Sequence, residues 1–129
     1  MAGPVDPTKL ASQRCAPADA GTERLSPDEV KRLASGVDAN WLVDNDRLVR
    51  EFRFPTFAAA FGLATRIALL AEGQGHHPAM DIAWGWLRVA WTTDAIGSIS
   101  LNDLIMAAKV DRLVERGLGL KTTTTDDVS

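Results

Sequence analysis

The sequence predicts an α+β domain: a four-stranded antiparallel sheet with three helices on one face, in the order α-β-β-α-β-β-α. Three observations predict it. Two stretches of alternating apolar and polar residues are each broken by turn chemistry, as hairpins are. Between them runs an apolar pattern with a helical period. Helix-capping signals open both the first and the last segment. Hairpins joined by helices imply an antiparallel sheet with the helices packed against it.

The elements follow in order. Ser26-Pro27-Asp28-Glu29 is a capping box, with Ser at the N-cap, Pro at N1 and Glu at N3. The short helix it starts stops near Ser35-Gly36. Trp41-Leu42-Val43 reads as a strand, Asp44-Asn45-Asp46 as a turn, and residues 47–54 as the returning strand. Leu48, Phe52 and Phe54 share one face of that strand, and Arg50 breaks the pattern. Pro55 suits the first turn of the next helix. Its apolar stripe is Phe57, Ala60, Phe61, Ala64, Ile67, Ala68 and Ala71, expected to be core, and Gly73 and Gly75 end it. Met80, Ile82 and Trp84 alternate with Asp81 and Ala83, Gly85 marks a turn, and Leu87, Val89 and Trp91 alternate with Arg88 and Ala90. Core or interface packing is expected for Trp41, Trp84 and Trp91, whereas Trp86 sits beside Arg88 on the more polar side. Ser100-Leu101-Asn102-Asp103 opens the last helix, which runs to Gly117. This helix offers Leu101, Leu104, Ile105 and Ala108 on one face and Met106, Val110, Leu113 and Val114 on another. Two apolar faces suit contact with the sheet and with a second subunit, so a homodimer or homotetramer is expected.

At 129 residues the chain suits a single domain, and 46% hydrophobic with 24% charged residues is an ordinary globular balance. Residues 1–23, with Pro4, Pro7 and Pro17 and no apolar period, read as a flexible arm. Residues 24–117 form the domain, and residues 118–129 read as a loose tail. A net charge of −3 with scattered Lys and Arg argues against nucleic acid or an anionic membrane as partner. Cys15 is the single cysteine, which excludes an intrachain disulfide and fits a reducing, cytoplasmic setting. The N-terminus lacks the pattern of a signal peptide, and the apolar stretch over 57–71 is interrupted by Arg66 and too short to span a bilayer.

Both histidines lie in Glu72-Gly73-Gln74-Gly75-His76-His77-Pro78, between a helix and a strand. Imidazoles move protons near neutral pH, so an acid–base pair is one reading and a chance surface pair is the other. Pro78 biases His77 towards an extended conformation, in which neighbouring side chains point apart. A metal site would need further ligands, and no other His or Cys stands nearby, so neither a metal nor a cofactor is expected. No nucleophile-elbow pattern is present.

Over residues 25–113 the chain resembles the pterin-4a-carbinolamine dehydratases. The resemblance rests on Trp41, on Arg47-Leu48-Val49-Arg50-Glu51-Phe52-Arg53-Phe54, on Phe57, Ala60, Phe61, Arg66, Ile67, Ala68, Ala71 and Glu72, on His76-His77-Pro78, and on Ser100 with Asp103. It implies the same sheet-and-helix fold, dimers made by joining sheets edge to edge, and in some members tetramers made through helices. It implies dehydration of a 4a-hydroxytetrahydropterin to the quinonoid dihydropterin, which wants a general acid and a general base. The family's catalytic set is a His-His pair and a third His after the second hairpin. His76 and His77 match the pair, whereas the third position is Asp94 in a gapless count and Thr93 with a one-residue gap, an imidazole in neither case. Glu72, Pro78 and Thr93 fall at substrate-binding positions. An ionised carboxylate accepts hydrogen bonds but cannot donate one. Gly75 before the pair and Ala95-Ile96-Gly97-Ser98 after Asp94 also depart from the family pattern. The degenerate site and the N-terminal extension resemble a branch that acts as a RuBisCO assembly factor in α-carboxysome systems. That resemblance implies RuBisCO subunits as partners, residual pterin binding at most, and a cytoplasmic, carboxysome-associated location. The alternative is an active 4a-hydroxytetrahydrobiopterin dehydratase in pterin recycling.

Overall fold

The computed structural model describes residues 4–116. It contains α1 (Pro27–Ala34), β1 (Leu42–Asp44), β2 (Arg47–Arg53), α2 (Phe57–Gln74), β3 (Ala79–Ala83), β4 (Trp86–Trp91) and α3 (Leu101–Glu115). The strands form one antiparallel sheet in the order β1-β2-β4-β3. The expected α+β class and element order hold.

Local chemistry explains most boundaries. Ser26 Oγ accepts from Glu29 N at 3.1 Å and starts α1. The β1–β2 turn is Asn45-Asp46, both at positive φ (50° and 61°), the geometry of a tight hairpin that Asn and Asp tolerate. The β3–β4 turn is Trp84-Gly85, with Gly85 at φ 68°. Trp84 is therefore a turn residue, 73% exposed, and not the packed strand residue expected. α2 is capped by Thr56, whose Oγ1 accepts from Ala59 N at 3.1 Å. Pro55 thus precedes the helix rather than sitting in its first turn. Gly75, left-handed at φ 67°, ends it.

The core lies between the sheet and the helices. Leu48, Phe52, Leu87, Val89 and Trp91 meet Ala60, Leu63, Ala64, Ile67 and Ala71 of α2, and Leu104 and Ile105 of α3. The buried stripe of α2 is rotated from the expected one. Leu63 is buried, whereas Phe57, Phe61 and Ala68 face outward, with Phe57 and Phe61 stacked on each other at 6.1 Å. The side of α2 that meets the sheet is the one carrying Ala60, Leu63, Ala64, Ile67 and Ala71.

Arg50 lies on the core face of β2, buried. Its Nη1 bonds Asp111 Oδ1 at 2.8 Å, and the same carboxylate accepts from Trp41 Nε1 at 2.7 Å and Asp38 N at 2.7 Å. The break in the apolar pattern is thus a buried, paired charge.

Of residues 1–23, expected to be a flexible arm, 1–3 lie outside the described residues, 5–16 pack on the domain, and 17–23 are largely exposed. A 3₁₀ turn over Pro7–Ser12 sinks Leu10 into the core and lies on α3. Lys109 Nζ bonds Ala11 O at 3.0 Å, and Arg32 Nη1 bonds Val5 O at 2.8 Å. Both apolar faces of α3 are consequently occupied within the chain, since Leu104, Ile105, Met106, Ala107, Ala108 and Val110 are all buried. On the second face, expected to meet another subunit, Met106 and Val110 are buried, whereas Leu113 and Val114 stay partly exposed. The expected tail, residues 118–129, lies outside the described residues. No described helix is long and apolar enough to cross a membrane.

Candidate active site

The two histidines diverge, as an extended backbone before proline requires. His76 turns inward and is buried, with its ring parallel to Trp91 at 5.9 Å. Its Nε2 meets Asp103 Oδ1 at 2.6 Å. His77 turns outward and pairs with Glu72 through Nε2 and Oε1 at 2.7 Å, both side chains well exposed. The α2 C-cap places both, since Gly75 reverses the chain just before them.

Asp103 is the hub. It stands in the first turn of α3 and is fully buried. Its second oxygen accepts from Ser100 N at 2.9 Å, the capping bond, and from Thr93 Oγ1 at 2.8 Å. Thr93 Oγ1 also meets Ser100 Oγ at 2.6 Å. The positive end of the α3 dipole favours the charge at this position. A carboxylate at Asp103 accepts from His76 Nε2–H, which leaves Nδ1 as the other polar atom of the ring.

The structure thus brings His76 and Thr93 together through Asp103, and joins His77 to Glu72 separately. Pro78 lies beside the pair, half-buried, at the start of β3. Asp94 opens a 3₁₀ turn over Asp94–Ile96 directly after Thr93 and points into solvent. Ser100, Asp103 and Trp91 were missed as site residues. Ser100 and Asp103 are legible in the sequence as a cap and as part of the family pattern, but not as partners of a histidine. The usable signal was that a capping carboxylate has a second oxygen to offer, and the chain has two histidines that need partners.

The model of the family described as pterin 4 alpha carbinolamine dehydratase matches residues 23–113. The chain belongs to this family. A relative from Chlorobaculum tepidum, named "Putative pterin-4-alpha-carbinolamine dehydratase", is 40% identical over 110 residues, covering 83% of this chain and 99% of the relative. A relative of the same name from Alkaliphilus metalliredigens is 42% identical over 104 residues, covering 80% of this chain and 94% of its own. A crystal structure described as a transcriptional coactivator/pterin dehydratase from Brucella melitensis superposes with a TM-score of 0.66 at 30% identity. It covers 70% of this chain and 98% of that one. Family membership accounts for the shared scaffold.

Proposed function

We propose that this protein is a dehydratase-fold member whose acid–base site is too incomplete for family-level turnover, and that it serves as an assembly factor for a macromolecular partner. RuBisCO subunits in an α-carboxysome system are the partner that the sequence resemblance implies, with a cytoplasmic, carboxysome-associated location. One observation carries the reading of the site. Asp94, the residue at the third-imidazole position, is an exposed carboxylate at the start of a 3₁₀ turn. An ionised carboxylate only accepts hydrogen bonds, so it has no proton to offer a leaving hydroxide as an imidazolium would. His76 cannot readily substitute, because its Nε2 is already engaged by buried Asp103. Losing one general acid or base costs on the order of 10²–10⁴-fold in rate.

The surface supports a protein partner. Leu42, Val43, Phe57, Phe61, Leu69 and Trp84 are 47–73% exposed. β1 is an edge strand exposed on both faces, which suits pairing with a second copy to make a homodimer. The exposed α2 face offers a second contact for a tetramer.

A weakly active dehydratase is the second reading. It is favoured by the exposed His77–Glu72 pair at 2.7 Å, an acid–base couple open to solvent. Residual pterin binding would fall there.

Two measurements separate the readings. Co-expression with the RuBisCO large and small subunits of the same genome should raise the yield of soluble assembled enzyme, with His77→Ala having little effect. Purified protein should dehydrate carbinolamine pterin far more slowly than a three-histidine relative, and Asp94→His should recover part of the rate. Unchanged RuBisCO yield together with turnover within a few-fold of that relative establishes the dehydratase instead.

A further inference from the structure

The N-terminal segment touches the site region at specific points. Gln74 is the last residue of α2 and stands just before Gly75 and His76. Asn102 stands in the first turn of α3, just before Asp103. Residues 14–16 bridge these two places. Arg14 Nη2 reaches Gly73 O at 3.5 Å, and Cys15 N donates to Gln74 Oε1 at 3.0 Å. Ala16 N donates to Asn102 Oδ1 at 3.0 Å, and Asn102 Nδ2 returns a bond to Ala16 O at 2.8 Å. The buried Asn102 side chain thus reads the backbone of Ala16 at two points, as a strand neighbour would. Cys15 Sγ lies 3.8 Å from Asn102 O, on the α3 side of the same bridge.

The bridge is anchored away from the site. Leu10 is fully buried, and Gly36 admits the Pro7 carbonyl so closely that a Cβ there would stand 2.1 Å from its oxygen. The anchor is a packing feature and would exist without any site. Residues 14–16 do something different, because these contacts land on residues adjacent in sequence to the imidazole and its carboxylate.

We propose that residues 14–16 are a strap that clamps the end of α2 to the start of α3, with Gln74 and Asn102 acting as positioning residues for the His76 imidazole. The physical need is plain. The 2.6 Å contact between His76 and Asp103 joins side chains from two elements that are remote in sequence. A shift of a few tenths of an ångström between the helix ends lengthens a charge-assisted hydrogen bond out of its strong range. The strap removes that freedom from both ends at once, as a supporting shell does for any precise site. The inference concerns the geometry of His76 and does not depend on whether the protein turns over pterin.

The test uses the full chain with Gln74→Ala, Asn102→Ala and the conservative Gln74→Glu, which keeps an acceptor for Cys15 N. Amide hydrogen exchange is followed over residues 73–77 and, as control, over β2 and β4. The ring nitrogens of His76 are followed by ¹H–¹⁵N long-range correlation. Gln74→Ala, which loses one hydrogen bond, should speed exchange over 73–77 by about tenfold, and Asn102→Ala, which loses two, by at least as much, with β2 and β4 unchanged. The His76 ring signals should move from a single Nε2-protonated tautomer towards an average, and Gln74→Glu should keep the parent behaviour. Gln74 is only partly buried, so its variant carries the test if Asn102→Ala does not fold. Unchanged loop exchange and ring signals in Gln74→Ala overturn the proposal. So does exchange that rises equally in β2 and β4, which would make the contacts general packing.

Discussion

Replacing Asp111 by Ala should be among the most damaging single changes in this fold. The substitution removes three short hydrogen bonds at once, from Arg50 Nη1, Trp41 Nε1 and Asp38 N. Arg50 is only 5% exposed, so its charge cannot escape to water. Its other anion, Asp38, stands at 3.6 Å with a side chain 38% exposed and compensates little. Arg50 Nε has no hydrogen-bond partner among the described residues, so the guanidinium is already short of acceptors. Breaking a buried pair by removing one partner costs about 3–5 kcal/mol. With a urea slope of about 1.5 kcal/mol/M, the unfolding midpoint should fall by roughly 2–3 M. Burial pushes the Asp111 carboxyl above its ordinary range, although the bonds from Trp41 and Asp38 and the Arg50 charge pull it back. The pair therefore sits near break-even against water. A carboxyl raised in this way favours the folded state below its unfolded pKa and loses that contribution as pH rises, so Asp111 does not itself drive acid unfolding. Arg50→Met combined with Asp111→Leu should then recover at least half of the single-mutant loss. Urea titration followed by far-ultraviolet circular dichroism reads all three proteins. A loss below about 1 kcal/mol for Asp111→Ala, or a double mutant no more stable than Asp111→Ala, refutes the reasoning.

Three further expectations follow from the same structure. Leu10→Ala should cost about 2–5 kcal/mol by the same titration, since the side chain is fully buried; a loose arm would give almost nothing. Burial pushes the Cys15 thiol up to about 11, so at pH 8 it should hold on the order of 10²-fold less thiolate than an ordinary cysteine and alkylate slowly until urea unfolds the chain. Leu42→Lys with Val43→Lys should leave the fold intact, because both side chains are exposed, yet shift sedimentation at micromolar concentration towards monomer if β1 is the pairing edge.

Short-range chemistry made much of this protein legible in its sequence. The caps at Ser26 and Ser100, the Asn45-Asp46 turn and the alternation through β2 and β4 are decided by residues within a few positions of one another. Those signals sufficed for the element order and for the antiparallel sheet. His76-His77-Pro78 was visible as a site for the same reason, and so was the divergence of the two rings, which the proline enforces. Decisions between distant segments were not visible. Periodicity shows that α2 has apolar residues to bury, but the sheet it meets chooses Leu63 over Phe57 and Phe61. Sequence marks Arg50 as a break, and only folding brings Asp111 to it from the last helix. The N-terminal segment lacks any apolar period, because Leu10 is its one fully buried anchor among the described residues and hydrogen bonds through its backbone to Arg32, Gln74, Asn102 and Lys109 help to hold it. Asp103 reads locally as a cap, and it becomes the partner of His76 because tertiary packing lays the start of α3 against the end of α2. A local pattern records what a residue needs, and which distant group meets that need depends on how the layers close over the core.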